Sequence, residues 1–340
     1  MTTHESNPSA LAQALDALDD ADPDVRVTAA AALGELGDLA AINPLIDALH
    51  DVDWRVRLHA ARPLSSMGEA VFAPLVDALA DADPIFCSNV ADALGQTQNP
   101  RAIPRLIHAM QHEDWRVRSR AAEGLGRIGH QDGVGPLVSA LDDEHWAVRG
   151  AAAEALGKLG EEAIVPALIG ALDDANLFVR GKVVEALGKL AGAKIGDPII
   201  SMLGDKSSHV RSHAANVLAA MGTPAIAPLI NLLSKRNLAV RSSAVEALVK
   251  IGEPAVTPLI DALHHPRRSV RQKASDALVR IGLPAVAPLM AALDSDNPHL
   301  QRSVAEILRR IGVPTSVDGQ AQGPRQFVST GLHKLLFRSR

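Results

Sequence analysis

The dipeptide Val-Arg returns along this chain at a spacing that leaves few folds open. It stands at Val25-Arg26, Val56-Arg57, Val117-Arg118, Val148-Arg149, Val179-Arg180, Val210-Arg211, Val240-Arg241 and Val270-Arg271. Phe86-Cys87 and Leu300-Gln301 fill the remaining places in the series. Every step is 30 or 31 residues, so ten copies follow one another with almost no drift in length. A fixed period of this size means one supersecondary unit, stacked on its neighbours because it cannot bury its apolar face alone.

Each copy reads as a helical hairpin. A first segment such as 163–174 carries apolar residues at helical spacing, with a Pro near its start. A short polar turn follows, then a second segment such as 145–160, in which Val148, Ala152, Ala155, Leu156 and Leu159 form one apolar face. We call the two segments helix A and helix B. Gly37, Gly68, Gly129, Gly160, Gly222, Gly252, Gly282 and Gly312 end the B segments, where a left-handed residue closes a helix. Pro44, Pro74, Pro104, Pro136, Pro166, Pro198, Pro228, Pro258 and Pro288 fall in the first turn of the A segments, where a missing N–H costs little. Composition agrees. Apolar residues make up 47% of the 340, yet aromatics only 2%. A core of Ala, Leu, Val and Ile suits many thin layers rather than one large centre.

The helix-A Pro, the turn Asp and the Val-Arg that opens helix B resemble HEAT repeats, specifically the short Ala-rich variety known as PBS lyase HEAT-like repeats. The resemblance covers about residues 8–312. It implies an all-α fold, a right-handed α-solenoid or superhelix of about ten two-helix repeats. It also implies a ladder of Asp and Arg side chains along the stack, on Asp20, Arg26, Asp51, Arg57, Asp143, Arg149, Asp174, Arg180, Asp205 and Arg211. Asp81 keeps the acid of repeat 3, but Cys87 replaces its Arg. His112, Lys235, His265 and Ser295 replace the Asp of repeats 4, 8, 9 and 10. The ladder is therefore expected to break at repeat 3 and fade after repeat 7. Residues 1–7 are expected as a disordered extension, and 313–340 as a linker with a basic amphipathic tail, which reads first as a cap on the last repeat and otherwise as a partner-binding motif or a membrane-surface contact.

Charge is distributed unevenly. Residues 1–100 carry 4 basic and 16 acidic side chains, residues 201–312 carry 14 and 8, and the whole chain is −5. In a linear stack this predicts an acidic end and a basic end, with self-association between them as one consequence. Within helix B, acids such as Glu154 and Glu246 precede Lys158 and Lys250 by four residues, a pairing that supports exposed helix.

All three Trp lie three residues before the ladder position, in repeats 2, 4 and 5. Trp54, Arg55 and His59, Trp115, Arg116 and Arg120, and Trp146 are the candidate contact residues, since Trp and Arg dominate binding hot spots. No residue set is read as catalytic and none as cofactor-binding. The chain shows no phosphate loop, nucleophile elbow or dinucleotide fingerprint. His209 and His213 have i,i+4 spacing but no evident third ligand, so no metal is expected. The single Cys, Cys87, reads as a small buried residue. The expected function is a non-enzymatic scaffold that binds another protein on the concave helix-B surface. The alternative implied by the resemblance is a phycobilin lyase-like subunit or tetrapyrrole chaperone handling an open-chain bilin, the one cofactor that reading would bring. Nucleic acid is disfavoured because aromatic platforms are scarce beyond residue 150. No apolar run of membrane-spanning length occurs, and a cytoplasmic protein is expected.

Overall fold

The computed structural model describes residues 8–190 and 196–313. The expected extension over 1–7 and the tail from 314 onward lie outside the described residues. The contacts divide the chain into two units, Met1–Leu190 and Ala191–Arg340. Among the described residues there are α- and 3-10 helices and no strand.

The first unit holds six A–B hairpins: α1 (Pro8–Asp16) with α2 (Pro23–Leu36), α3 (Ile42–Asp47) with α4 (Trp54–Ser66), α5 (Phe72–Ala78) with α6 (Pro84–Gln96), α7 (Ile103–Ala109) with α8 (Trp115–Ile128), α9 (Val134–Ser139) with α10 (Trp146–Leu159), and α11 (Val165–Gly170) with α12 (Leu177–Lys189). The second unit holds four: α13 (Gly196–Ser201) with α14 (Ser208–Met221), α15 (Thr223–Leu232) with α16 (Leu238–Ile251), α17 (Val256–Ala262) with α18 (Arg268–Ile281), and α19 (Val286–Ala292) with α20 (Pro298–Ile311). Helices pack on their sequential neighbours, and the architecture is that of an α-solenoid.

The A segments are more broken than their periodicity suggests. Over 163–174, α11 is flanked by the 3-10 turns Glu162–Ile164 and Ala171–Asp173. The chain must leave the helix at Asp174 in extended backbone, with φ −52° and ψ 140°, to aim its carboxylate along the stack. The last turn tightens accordingly, and Asp174 N–H bonds to Ala171 O at 3.3 Å.

The B segments start and stop where local chemistry directs. Asp22, Asp53, Asp83 and Asp114 cap α2, α4, α6 and α8 by accepting the N–H two residues on. His145 does the same for α10 through Nδ1. The eight glycines expected to close B helices are the eight with positive φ among the described residues. Gly222, Gly252 and Gly282 combine φ of 68–75° with ψ near −132° (−131 to −133°), a region closed to L side chains. There the same residue ends helix B and starts the next A segment.

Burial on helix B is wider than one stripe. In α10, Ala151, Ala153 and Gly157 are buried along with Val148, Ala152, Ala155 and Leu156. The cause is a B helix on either side as well as helix A beneath. In the first unit these B–B contacts are backbone-close. A methyl added at Gly126 would lie 2.7 Å from Ala155 Cα, and one at Gly157 2.7 Å from Ala186 Cα. A methyl at Gly95 would fall on Gly124 Cα, and one at Gly34 on the Pro63 ring. The seam pairs the eighth residue after the ladder position with the sixth in the following repeat. The equivalent places in α16 and α18 are Val249 and Val279. A cavity of about 240 Å³ opens on that side of the second unit, lined by Val245, Lys273, Asp276, Val279 and Arg310 among others.

Candidate functional site

The turn between helix A and helix B carries two linked devices. The first is the guanidinium ladder. Arg149 Nη1 donates to Asp143 O at 2.8 Å and Glu144 O at 3.1 Å, the carbonyls of its own turn. Its Nε and Nη2 donate to both oxygens of Asp174 in the next repeat, at 2.6 and 3.0 Å. Arg118 bonds Asp143 in the same bidentate way, and Arg26 bonds Asp51. Each Asp therefore serves two masters, since Oδ1 of Asp51, Asp143 and Asp174 also accepts the N–H two residues on. The Arg26 hydrogen bond holds the Asp51 carboxyl below its ordinary range, and burial opposes it. For Asp143 and Asp174, burial pushes upward, but the arginine and backbone donors outweigh it and both sit low.

The carbonyl half of this arrangement is more general than the ion pair. Arg57 bonds Asp51 O and Val52 O but makes no ion pair with Asp81. Arg180 bonds Asp174 O and Ala175 O. Cys87 takes the arginine's place with its thiol 3.2 Å from Asp81 O. Arg211 bonds Asp205 O, and Asp205 Oδ1 accepts Ser207 N–H. His112 and His265 accept the turn N–H through Nδ1, at 2.9 and 3.1 Å, as Asp does elsewhere; His265 brings no carboxylate to Arg241, and the ladder place before His112 is held by Cys87.

The second device is a row of rings. Trp54, Trp115 and Trp146 are each the first residue of a B helix. His145, the cap of α10, stacks on Trp115 with centroids 4.1 Å apart and planes at 14°. Its ring lies 5.7 Å from Trp146, which lies 5.8 Å from Phe178. Arg116 sits over the Trp115 ring at 5.1 Å. The row thus crosses repeats 4, 5 and 6, with Trp146 44% and Phe178 57% exposed. The structure brings Trp115 and Trp146 together through His145. Trp54 stands two repeats earlier, 63% exposed, without a ring contact among the described residues. His145 and Phe178 are not in register with the three Trp, and only a search for any ring within one residue of that position would have found them.

The basic candidates are engaged locally. Arg55 is bonded to Asp24 at 2.6 Å and Asp53 at 2.7 Å, which raises its pKa. Arg116 pairs with Asp114 at 2.9 Å, and Arg120 with Glu123 at 2.8 Å. His59 Nδ1 lies 2.8 Å from Arg55 O. The acid–base pairs of helix B also extend between repeats. Glu154 bonds Lys158 at 2.9 Å and Lys182 of the next helix at 2.8 Å, and these two ammonium groups pull its carboxyl down to about 2. Asp92 reaches Arg127 at 2.7 Å. No group of three metal-ligating side chains occurs among the described residues, where His209 and His213 lie ring to ring at 4.3 Å. No single described helix is long and apolar enough to cross a membrane.

A family model described as HEAT repeats matches residues 9–85, 72–143, 134–198, 196–278 and 256–319. Among solved structures, the chain is similar to the Escherichia coli protein YibA, with 24% identity and a TM-score of 0.48 over 70% of this chain and 91% of that one. It is similar to the CpcE–CpcF complex of phycocyanin lyase from a Nostoc species, with 22% identity and a TM-score of 0.41 over 69% and 93%. Human deoxyhypusine hydroxylase in complex with glycerol matches at 25% identity and a TM-score of 0.34 over 73% and 98%. No curated protein matches by sequence.

Proposed function

The chain belongs to the HEAT-repeat family, and from that premise we propose that it is a scaffold that docks a protein partner on the aromatic edge of repeats 4–6. The observation that carries this reading is the contiguous row of Trp115, His145, Trp146 and Phe178. Stacked rings contribute about 0.5–1.5 kcal/mol per pair, yet two of these keep much of their surface in water. Large aromatics that stay exposed, rigid and contiguous are the residue types and the arrangement of a binding hot spot. The row is held by helix starts and a cap rather than by loose loops, so little entropy is lost when a partner settles on it. Asp114 and Glu144, on the turns that carry the row, are paired with Arg116 and Arg118. The partner surface is therefore expected to be apolar or aromatic, with few charges of its own.

The test is affinity capture with the wild-type chain and with Trp146→Ala combined with Phe178→Ala, compared quantitatively. Both side chains are exposed, so the variant should fold. Loss of the strongest specific partners from the variant is the expected result. An identical set of partners in equal amounts rules the edge out.

A further inference from the structure

We infer that the turn edge of repeats 7–9 binds an acidic peptide segment of a protein partner, whose carboxylates take the places that aspartates fill in the first unit. This peptide site does not depend on the aromatic row being a docking surface.

Three arginines of the second unit are prepared as their counterparts are and then left without an acid. Arg211 Nη1 bonds Asp205 O and Lys206 O, Arg241 Nη1 bonds Lys235 O and Arg236 O, and Arg271 Nη1 bonds His265 O and Pro266 O, all at 2.7–3.2 Å. This is the anchoring that orients Arg26, Arg118 and Arg149 toward the next repeat's carboxylate. Here the next turn offers Lys235, His265 and Ser295 instead. Arg241 Nε is the one buried side-chain donor without a partner among the described residues. Arg211 and Arg271 are partly exposed and bond no carboxylate among the described residues. A fixed guanidinium fork matches a carboxylate in two parallel hydrogen bonds, the geometry that Arg26, Arg118 and Arg149 already make.

The surroundings favour the same ligand. Lys206, Lys235, Arg236, Arg267 and Arg268 are exposed on this edge, a field that draws in negative chains. Asp294 and Asp296 mark where the basic strip ends. A recess of about 390 Å³ between Ile200, Leu232 and Val240, with Lys235 and Arg236 on its wall, takes an apolar side chain next to an acidic one. Residues 196–313 contain no Trp, Phe or Tyr, so bases have nothing to stack on, which favours a peptide over a nucleic acid.

The experiment is fluorescence anisotropy of a labelled peptide of Asp and Glu with spaced Leu, added to the full chain at low salt. Two variants change the charge equally. Lys235→Asp supplies the missing partner of Arg211 from within, and Arg236→Asp does not. Binding by wild type is expected, with Lys235→Asp about tenfold weaker than Arg236→Asp and also higher in Tm. Equal weakening by the two variants would show attraction by diffuse charge alone and overturn the proposal. So would the absence of binding at low salt, or tighter binding of single-stranded DNA of the same charge.

Discussion

Replacing Gly157 by alanine asks the seam between α10 and α12 to accept a methyl group it has no room for. In an exposed helix the change stabilises by about 1 kcal/mol, because alanine loses less backbone entropy on folding. Here the new Cβ would sit 2.7 Å from Ala186 Cα and 2.8 Å from Ala186 Cβ, against an ordinary contact of 3.4–4 Å. Neither atom is the end of a flexible side chain, so the two helices must part by several tenths of an ångström. Overpacking of this kind costs about 1–3 kcal/mol, which exceeds the propensity gain. The expected net is a loss of about 1 kcal/mol, or roughly 2–4 °C in Tm for a unit of this size. Gly150 lies in the same helix with nothing within 4 Å of an added methyl, so Gly150→Ala should stabilise by about 0.5–1 kcal/mol. Urea unfolding followed by Trp fluorescence reads both, since all three Trp lie in the first unit. Opposite signs are expected. If Gly157→Ala stabilises as much as Gly150→Ala, the close-seam argument is wrong.

Cys87 has its thiol buried against Asp81 O, and burial, with Asp81 and Asp83 nearby, pushes its pKa up. A thiol reagent should leave it unmodified in the native chain and react fully once urea unfolds it; rapid native labelling would contradict the placement. Glu154 has a folded pKa of about 2 against an ordinary 4.5. Its contribution is present above the unfolded value and is lost as pH falls from about 4.5 toward about 2. Glu154→Gln should flatten the acid side of a stability–pH curve over that window, and an unchanged slope would count against the Lys158 and Lys182 contacts. An open-chain bilin titrated into the protein should leave Trp fluorescence and the pigment spectrum unchanged; a quench or a spectral shift would revive tetrapyrrole handling.

The repeat length, the hairpin and the glycine closures were legible because each depends on local backbone chemistry with a fixed period. The partner of each arginine was less so. An Asp six residues before its Arg suggests a contact within the repeat, but that Asp gives its carbonyl to its own Arg and its carboxylate to the previous one. The close seam escaped notice because Gly95, Gly126 and Gly157 lie inside helices, where glycine reads as a weakness until the facing helix is known. Cross-repeat pairs such as Glu154 with Lys182 were hidden for the same reason, since spacing along one helix says nothing of its neighbour. Of the contact residues, Trp115 and Trp146 were visible by type, while Phe178 sat one residue out of register. Arg55 and Arg116 looked available only because Asp24, Asp53 and Asp114 could not be placed beside them from sequence.

The aromatic row is continuous only if repeats 4, 5 and 6 stack in the register that pairs each arginine with the following aspartate. A double-mutant cycle on Arg149→Gln and Asp174→Asn measures that pairing, with Arg149→Gln and Asp143→Asn as the within-repeat comparison. The account predicts a coupling of about 1–3 kcal/mol between 149 and 174 and a coupling near zero between 149 and the 143 side chain. Strong coupling within the repeat, with none across the boundary, would contradict it.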